Sequence, residues 1–290
     1  EALRLYHPFW RHGAAVDVLS ARRFWQEELD ILDNPDPRAA AAILLARCSI
    51  LLLPAPMILP GAALFPSDSS PEAQSASHSP SDLLVDVLDH FVRAGGSLWI
   101  SFRSDIKDAA NQMRRQPSRL AALAGVQVTE IESLNQPLTA PVALAGNSTT
   151  VSSAEVFREG LSPIPDGPSP TAEPLWIYTD SFFGSMGLAA VTRRPLGKGE
   201  VVYVGTGIDG EELVPTATET LAHTGVHFAG LSDSPWVEEA LRKDVNGKLW
   251  RLAINHGDEA AVSSIGRSLD PYEVVIEPEA ERESRGSPVQ

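Results

Sequence analysis

The sequence predicts an α/β fold built on a parallel sheet, followed by a small antiparallel β domain at the C-terminus. Three observations predict it. An amphipathic helix, its glycine stop and a strand apolar on both faces follow one another without a gap between residues 81 and 102, which is the signature of a central parallel strand covered by helices. Helical and extended patterns alternate before it. Beyond Ser232 the pattern changes to short strands at hairpin spacing.

The elements are justified in chain order. Ala2 to His12 places Leu5, Phe9 and Trp10 near one helical face, and Gly13 ends it before a short strand over Ala15–Leu19. A domain that starts on a helix is odd for an alternating α/β fold, and this predicts that a first strand lay before Glu1. Phe24–Leu32 reads as a short helix, Asn34-Pro35-Asp36-Pro37 as a turn, and Arg38–Arg47 as a helix leading into the strand Ile50–Leu53. From Pro66 to Pro80 the composition turns to Ser, Pro, Ala and Asp without periodicity, a solvated loop.

After Ser81 and Asp82, Leu84, Val87, Leu88 and Phe91 recur at helical spacing. Gly95-Gly96 stops that helix, and Leu98–Phe102 forms the buried strand. The charges Arg103, Asp105, Lys107 and Asp108 then fall at its carboxyl end, where open α/β sheets place their binding crevice. Arg114 and Arg115 read as an exposed basic segment, Ser118–Ala124 as a helix closed by Gly125, and Val126–Ile131 as an edge strand. Glu159–Pro174 carries five prolines and reads as a polar insertion through which no regular element runs. Leu175–Tyr178, Leu188–Thr192 and Val201–Gly205 are short strands, with a hairpin turn at Pro195–Glu200. Leu213–Gly225 is a closing helix. Val237–Leu241, Leu249–Asn255, Ala260–Ser264 and Tyr272–Ile276 are the strands of the small domain, and Glu279–Gln290 is a charged tail expected to be disordered. The division read from these patterns is 1–232, 233–278 and 279–290.

Charge and composition narrow the partners. A net charge of −15 over 290 residues repels phosphate backbones and anionic membrane surfaces, so no nucleic acid and no membrane partner is expected. The single cysteine, Cys48, excludes an intrachain disulfide and a multi-cysteine metal site, and reads as a small core residue. No apolar run reaches the length needed to span a bilayer. The chain opens on Glu1 rather than methionine, so the compartment, cytoplasmic or secreted, stays open for a soluble protein.

Candidate chemistry is sparse. Paired carboxylates working as acid/base and nucleophile must stand about 5 to 5.5 Å apart; Glu211-Glu212 and Glu238-Glu239 are adjacent pairs but read as solvated faces. Ser101 stands where a nucleophile elbow would place its residue, without the Gly-x-Ser-x-Gly surround or an evident base. His223 and His227 lie four residues apart, a spacing that suits metal ligands on a helix, yet with no third ligand they read as packing at a helix end. His7, His12, His78, His90 and His256 have no partner in the pattern. No catalytic, cofactor-binding or metal residue is assigned, and no cofactor is expected.

Three segments carry a family resemblance: Phe91-Val92-Arg93-Ala94-Gly95-Gly96 running on through Ser101-Phe102-Arg103-Ser104-Asp105-Ile106-Lys107-Asp108; Tyr178-Thr179-Asp180-Ser181-Phe182-Phe183 with Ala190-Val191-Thr192-Arg193; and Gly197-Lys198-Gly199-Glu200 through Tyr203-Val204-Gly205-Thr206. In this order the chain resembles the non-catalytic C-terminal half of family 42 glycoside hydrolases, which are β-galactosidases. The resemblance implies that 1–232 is a trimerisation-like domain of flavodoxin-like or class I glutamine amidotransferase-like three-layer architecture, its first strand missing, and that 233–278 is the small C-terminal β domain. It implies self-association as a homotrimer, with the catalytic (β/α)8 barrel of the same parent chain as the other partner. Nothing here matches that barrel or its two catalytic glutamates, so this chain alone is expected to be inactive. Arg103, Asp105, Lys107, Asp108, Phe182 and Phe183 are the candidate interface or active-site rim. Two alternatives stand beside it: a free-standing interaction module with an amidotransferase-like fold, and an amidotransferase-like enzyme using Ser101.

Overall fold

The computed structural model describes residues 2–20, 36–59, 80–108, 111–114, 117–135, 137–164 and 170–279. The chain divides into two units, one of residues 1–6 and 18–213 and one of residues 7–17 and 214–290. The helix predicted over Phe24–Leu32, the first half of the turn at 34–37 and the loop from Pro66 lie outside the described residues, as does Arg115.

The first unit is a mixed sheet. Its elements are α2 (Pro37–Arg47), β1 (Ile50–Leu53), α3 (Pro80–Ala94), β2 (Ser97–Ser101), α4 (Arg119–Leu123), β3 (Val126–Ser133), β4 (Ala140–Leu144), β5 (Asn147–Pro163), β6 (Glu173–Tyr178), β7 (Ala189–Leu196), β8 (Gly199–Val204) and β9 (Thr206–Gly207), after α1 (Ala2–Arg11), which both units share. The strand order is β1-β2-β8-β7-β6-β4-β5-β3, with β9 paired to β5. Among the described residues only β1, β2 and β8 run parallel, Leu98 standing opposite Leu51 on one side and Val201 on the other. Every other pairing is antiparallel. The α/β class and the central parallel strand form as predicted, but the antiparallel strands outnumber the parallel ones.

β2 is buried at all five positions, as a strand covered on both faces must be. Leu98 and Ile100 join Leu84, Val87, Leu88 and Phe91 of α3 in one core, with Trp99 on the opposite pleat, also fully buried. The stop of α3 is tight. Gly96 N–H donates to Phe91 O at 3.0 Å, and Lys198 N–H, from the β7–β8 turn, donates to Arg93 O at 3.1 Å, so the hairpin supplies donors to carbonyls the helix leaves open. A Cβ on Gly199 would stand 2.0 Å from Gly96 O and 2.4 Å from Val92 O. Only a glycine lets hairpin and helix approach so closely. Cys48 packs against the same core, and burial pushes its thiol up to about 11.

Several expectations fail. Ala15–Leu19 is no strand; it is largely exposed, with Val18 turned to solvent. The insertion predicted from Glu159 contains the end of β5, a 17-residue strand, because the first proline comes only at Pro163, where the strand stops. β4 and β5 themselves had no signal: Pro141, Ser148, Thr149 and Thr150 mask a hairpin that turns at Ala145-Gly146. Arg114 is half-buried and ion-paired to Asp105 at 3.1 Å instead of forming an exposed basic segment.

In the second unit, α5 (Val214–Thr224) is followed by β10 (Val237–Lys243), β11 (Leu249–Asn255), β12 (Ala261–Val262), β13 (Ser268–Leu269) and β14 (Val274–Pro278). β10-β11-β14 form an antiparallel sheet and β12-β13 a two-stranded one, the latter partner unforeseen. Val237, Ala253, Leu269 and Val275 make its small core. Glu239, expected on a solvated face, is buried: Arg251 Nη1 donates to its Oε2 at 2.5 Å and Ser264 Oγ to the same oxygen at 2.8 Å. Arg251 grips Glu279 with Nε at 2.7 Å and Nη2 at 2.9 Å, so that residue of the expected disordered tail is docked; 280–290 lie outside the described residues. α5 ends at Thr224 with Gly225 at φ +66°, so His223 and His227 are not on one helix.

Candidate functional site

The carboxyl end of β2 is where charge gathers. Past Ser101 the backbone turns through left-handed conformations at Arg103 (φ +62°) and Asp105 (φ +53°), a shape that non-glycine residues adopt only when the surroundings enforce it. Two clamps enforce it.

Asp105 is the first. It is fully buried, and its N–H donates to Pro56 O at 2.8 Å in the segment after β1. Arg119, at the start of α4, forks onto its two oxygens with Nε at 3.0 Å and Nη2 at 2.7 Å, while the Arg119 backbone N–H adds a third bond at 3.1 Å. Arg114 closes the cage. Two guanidinium groups and a helix N-terminus compensate the desolvation of one carboxylate. Arg119 Nη1 also bonds Asp82 of α3 at 2.6 Å.

The second clamp is Glu159 on β5, also fully buried. Its Oε1 accepts from Arg103 N–H at 2.9 Å and its Oε2 from Tyr203 O–H at 2.9 Å, while Tyr178 O–H donates to its backbone oxygen at 3.1 Å. Burial pushes its carboxyl up to about 7, against the pull of the Arg103 N–H and the Tyr203 hydroxyl. Val156 at φ +65° and a register shift between Glu155 and Arg158 mark a bulge just before it, which aims Arg158 and Glu159 to opposite faces.

Arg158 builds the other face. It pairs with Asp180 and with Glu132 (Nη2 to Oε2, 2.5 Å), and its guanidinium lies 4.0 Å from the centre of the Phe183 ring. Burial opposes the Arg158 charge but the two carboxylates outweigh it, holding the group more basic than usual. Burial would raise the Asp180 carboxyl, yet the N–H groups of Phe182 and Phe183, at 2.6 and 2.8 Å, and Arg158 hold it below its ordinary range. The Asp180 turn thereby tucks Phe183 inside, edge-on to Tyr178, and leaves Phe182 half exposed.

This geometry sits inside a recognised module. The family model described as the β-galactosidase trimerisation domain matches residues 78–226, just over half of the chain. The chain belongs to that family. The chain is 30% identical over 164 residues to β-galactosidase Bga of Halorubrum lacusprofundi, covering 53% of this chain and 22% of that protein. It is 29% identical over 181 residues to β-galactosidase BglY of Alicyclobacillus acidocaldarius, covering 61% and 25%. In structure it is similar to the β-galactosidase of Bacillus circulans sp. alkalophilus, with TM-score 0.66 at 18% identity over 96% of this chain and 37% of that one, a likeness of fold. The chain thus spans about a quarter of the curated relatives' length.

Within the trimerisation domain the sequence-predicted residues separate by depth. Arg103 is half-buried, its guanidinium 5.0 Å from the Phe157 ring centre. Lys107 reaches Asn111 at 2.9 Å, and Asp108 accepts from Gln112 N–H at 2.9 Å, both at the surface. Asp105 and Phe183 are fully buried, and the partners that enclose them, Arg119 and Arg158, are distant in sequence or on another strand. Ser101 is buried, its hydroxyl accepts from Ala55 N–H at 2.7 Å, and no described histidine bonds to it. Sequence reasoning missed Glu159, Arg158 and Arg119. Among the described residues no three His, Cys, Asp or Glu side chains are grouped to hold a metal, and no helix is long and apolar enough to cross a membrane.

Proposed function

We propose that this chain is the assembly portion of a family 42 β-galactosidase, gathering copies into a homotrimer while terminal β-D-galactosides are hydrolysed, with retention, by an acid/base and a nucleophile glutamate in a (β/α)8 barrel outside this sequence. The match of the trimerisation-domain family over residues 78–226 carries this reading, and both curated relatives bear the name β-galactosidase. The buried acids support it from a second side, since Asp105 and Glu159 are spent on holding a surface turn and neither faces solvent.

The interface on this reading is the carboxyl end of the sheet: Arg103, Lys107, Asp108 and Phe182 make contact, with Asp105 and Phe183 shaping the turns from beneath. An exposed aromatic such as Phe182 suits such a surface. The parallel segment β1-β2-β8 with α2 and α3 is what supports an amidotransferase-like three-layer ancestry, and 1–232, 233–278 and 279–290 remain the proposed division of the polypeptide. Sedimentation equilibrium of the purified chain tests the assembly role: a species of three times the chain mass supports it, and a strict monomer at high concentration opposes it. A chromogenic galactoside should not be turned over by this chain, and activity that copurified with it would overturn the proposal.

A further inference from the structure

The turn at 102–108 is clamped twice, and the clamps differ in kind. Asp105 is matched by three N–H donors of Arg119 and by the Arg114 guanidinium, so its charge is compensated where it stands. Glu159 is held by one backbone N–H and one phenol, neither of which carries charge.

The charged and titratable groups around Glu159 are few. From the turn come Arg103, whose guanidinium leans on Phe157, and Asp105. Tyr203 comes from β8 and Tyr178 from β6. On β5 itself Arg158 stands next in sequence, already engaged by Glu132 of β3 and Asp180 of the turn after β6.

We propose that Glu159 is a proton-operated latch for Arg103: the carboxylate draws in the Arg103 N–H and the Tyr203 hydroxyl and so fixes the left-handed turn, and proton uptake loosens that hold. In the carboxylate form both oxygens accept, and Arg103 supplies the nearest cation. With a proton on one oxygen, that oxygen becomes a donor, Tyr203 must turn to accept, and the bond to Arg103 N–H loses its charge assistance, roughly half of its strength. Asp105 keeps the far side of the turn in place, so the movement is confined to Arg103 and its neighbours. The carboxyl sits at about 7, pushed there first by burial, which places the switch near neutral pH. The latch concerns the chain by itself and does not depend on whether the chain assembles.

Carboxyl-carbon NMR of the full chain labelled on glutamate, followed from pH 5 to 9 together with the Arg103 amide, tests it. The expected result is one glutamate carboxyl with a midpoint near 7 and an Arg103 amide that moves with the same midpoint. In Glu159→Gln both steps vanish, and in Tyr203→Phe the midpoint rises because the carboxylate loses a donor. Should Glu159→Gln fail to fold, the unmodified chain and Tyr203→Phe still decide the matter. A Glu159 carboxyl that titrates below pH 5 with the surface acids, an Arg103 amide indifferent to it, or a Tyr203→Phe midpoint that does not rise would each overturn the latch.

Discussion

Arg119 reads Asp105 with three nitrogens at once: its backbone N–H and Nε bond Oδ2 at 3.1 and 3.0 Å, and its Nη2 bonds Oδ1 at 2.7 Å. The acid is fully buried, so the pair ties the first turn of α4 to the turn that ends β2. Removing one partner strands the other. Asp105→Ala should cost about 3 to 5 kcal/mol in urea unfolding, as expected for a broken buried pair, and Arg119→Lys should lose part of that because an ammonium cannot make the fork. A loss below about 1 kcal/mol for Asp105→Ala would show that the pair is incidental.

The close approach of Gly199 to Gly96 predicts a steric effect. Gly199→Ala places a methyl 2.0 Å from a backbone oxygen, which only backbone movement can relieve. We expect a loss of about 3 kcal/mol, read as a lower midpoint in thermal or urea unfolding. Gly187→Ala is the control for left-handed strain alone: its φ is +67° and nothing stands within 4 Å of the added carbon, so it should cost about 1 kcal/mol.

Phe182 and Phe183 should part company. Phe183→Ala opens a cavity under the Arg158 guanidinium and should destabilise the fold by about 3 to 5 kcal/mol. Phe182, half exposed, should change unfolding by no more than about 0.5 kcal/mol. If the sheet's carboxyl end is the interface, Phe182→Ala weakens association roughly ten- to thirtyfold, on the order of 1 to 2 kcal/mol. Concentration-dependent sedimentation separates the two effects.

Glu159 imposes a pH slope on stability. Its folded carboxyl lies at about 7, above the ordinary 4.5, so its contribution is fully present below about 4.5 and is lost as pH rises to about 7. The loss is on the order of 3 kcal/mol between those limits. Glu159→Gln should flatten this part of the curve, so the variant gains on the native chain between pH 5 and pH 8. Parallel curves for the two proteins would place the titration elsewhere.

The second unit turns on Arg251, which is buried and bonds Glu239, Glu279, Ser264 Oγ and Ala229 O. Arg251→Met leaves two carboxylates facing a thioether. It should cost about 3 kcal/mol and release Glu279, seen as faster protease trimming of the C-terminus.

Much of the fold was legible. Leu84, Val87, Leu88 and Phe91 announce their helix, Gly95-Gly96 its stop, and the unbroken run from Leu98 its strand, because each is a short-range pattern whose period matches the element. The turn at Arg103–Asp108 was placed correctly for the same reason. What these residues do was not legible. Asp105 looked like a surface charge until Arg119, fourteen residues on, closed over it, and Glu159 looked like the start of a loop until Tyr203 of β8 and Arg103 of the turn after β2 met it. Glu239 repeats the lesson in the second unit.

By itself, then, the sequence determined the α/β class, the central helix–strand pair and the small antiparallel region, which follow from local periodicity, while three of its segments carried the family resemblance. The tertiary structure alone decided which acids are buried, which phenylalanine faces solvent and how far the antiparallel strands extend. Those outcomes depend on strand pairing and desolvation between residues far apart in the chain, and no local pattern records them.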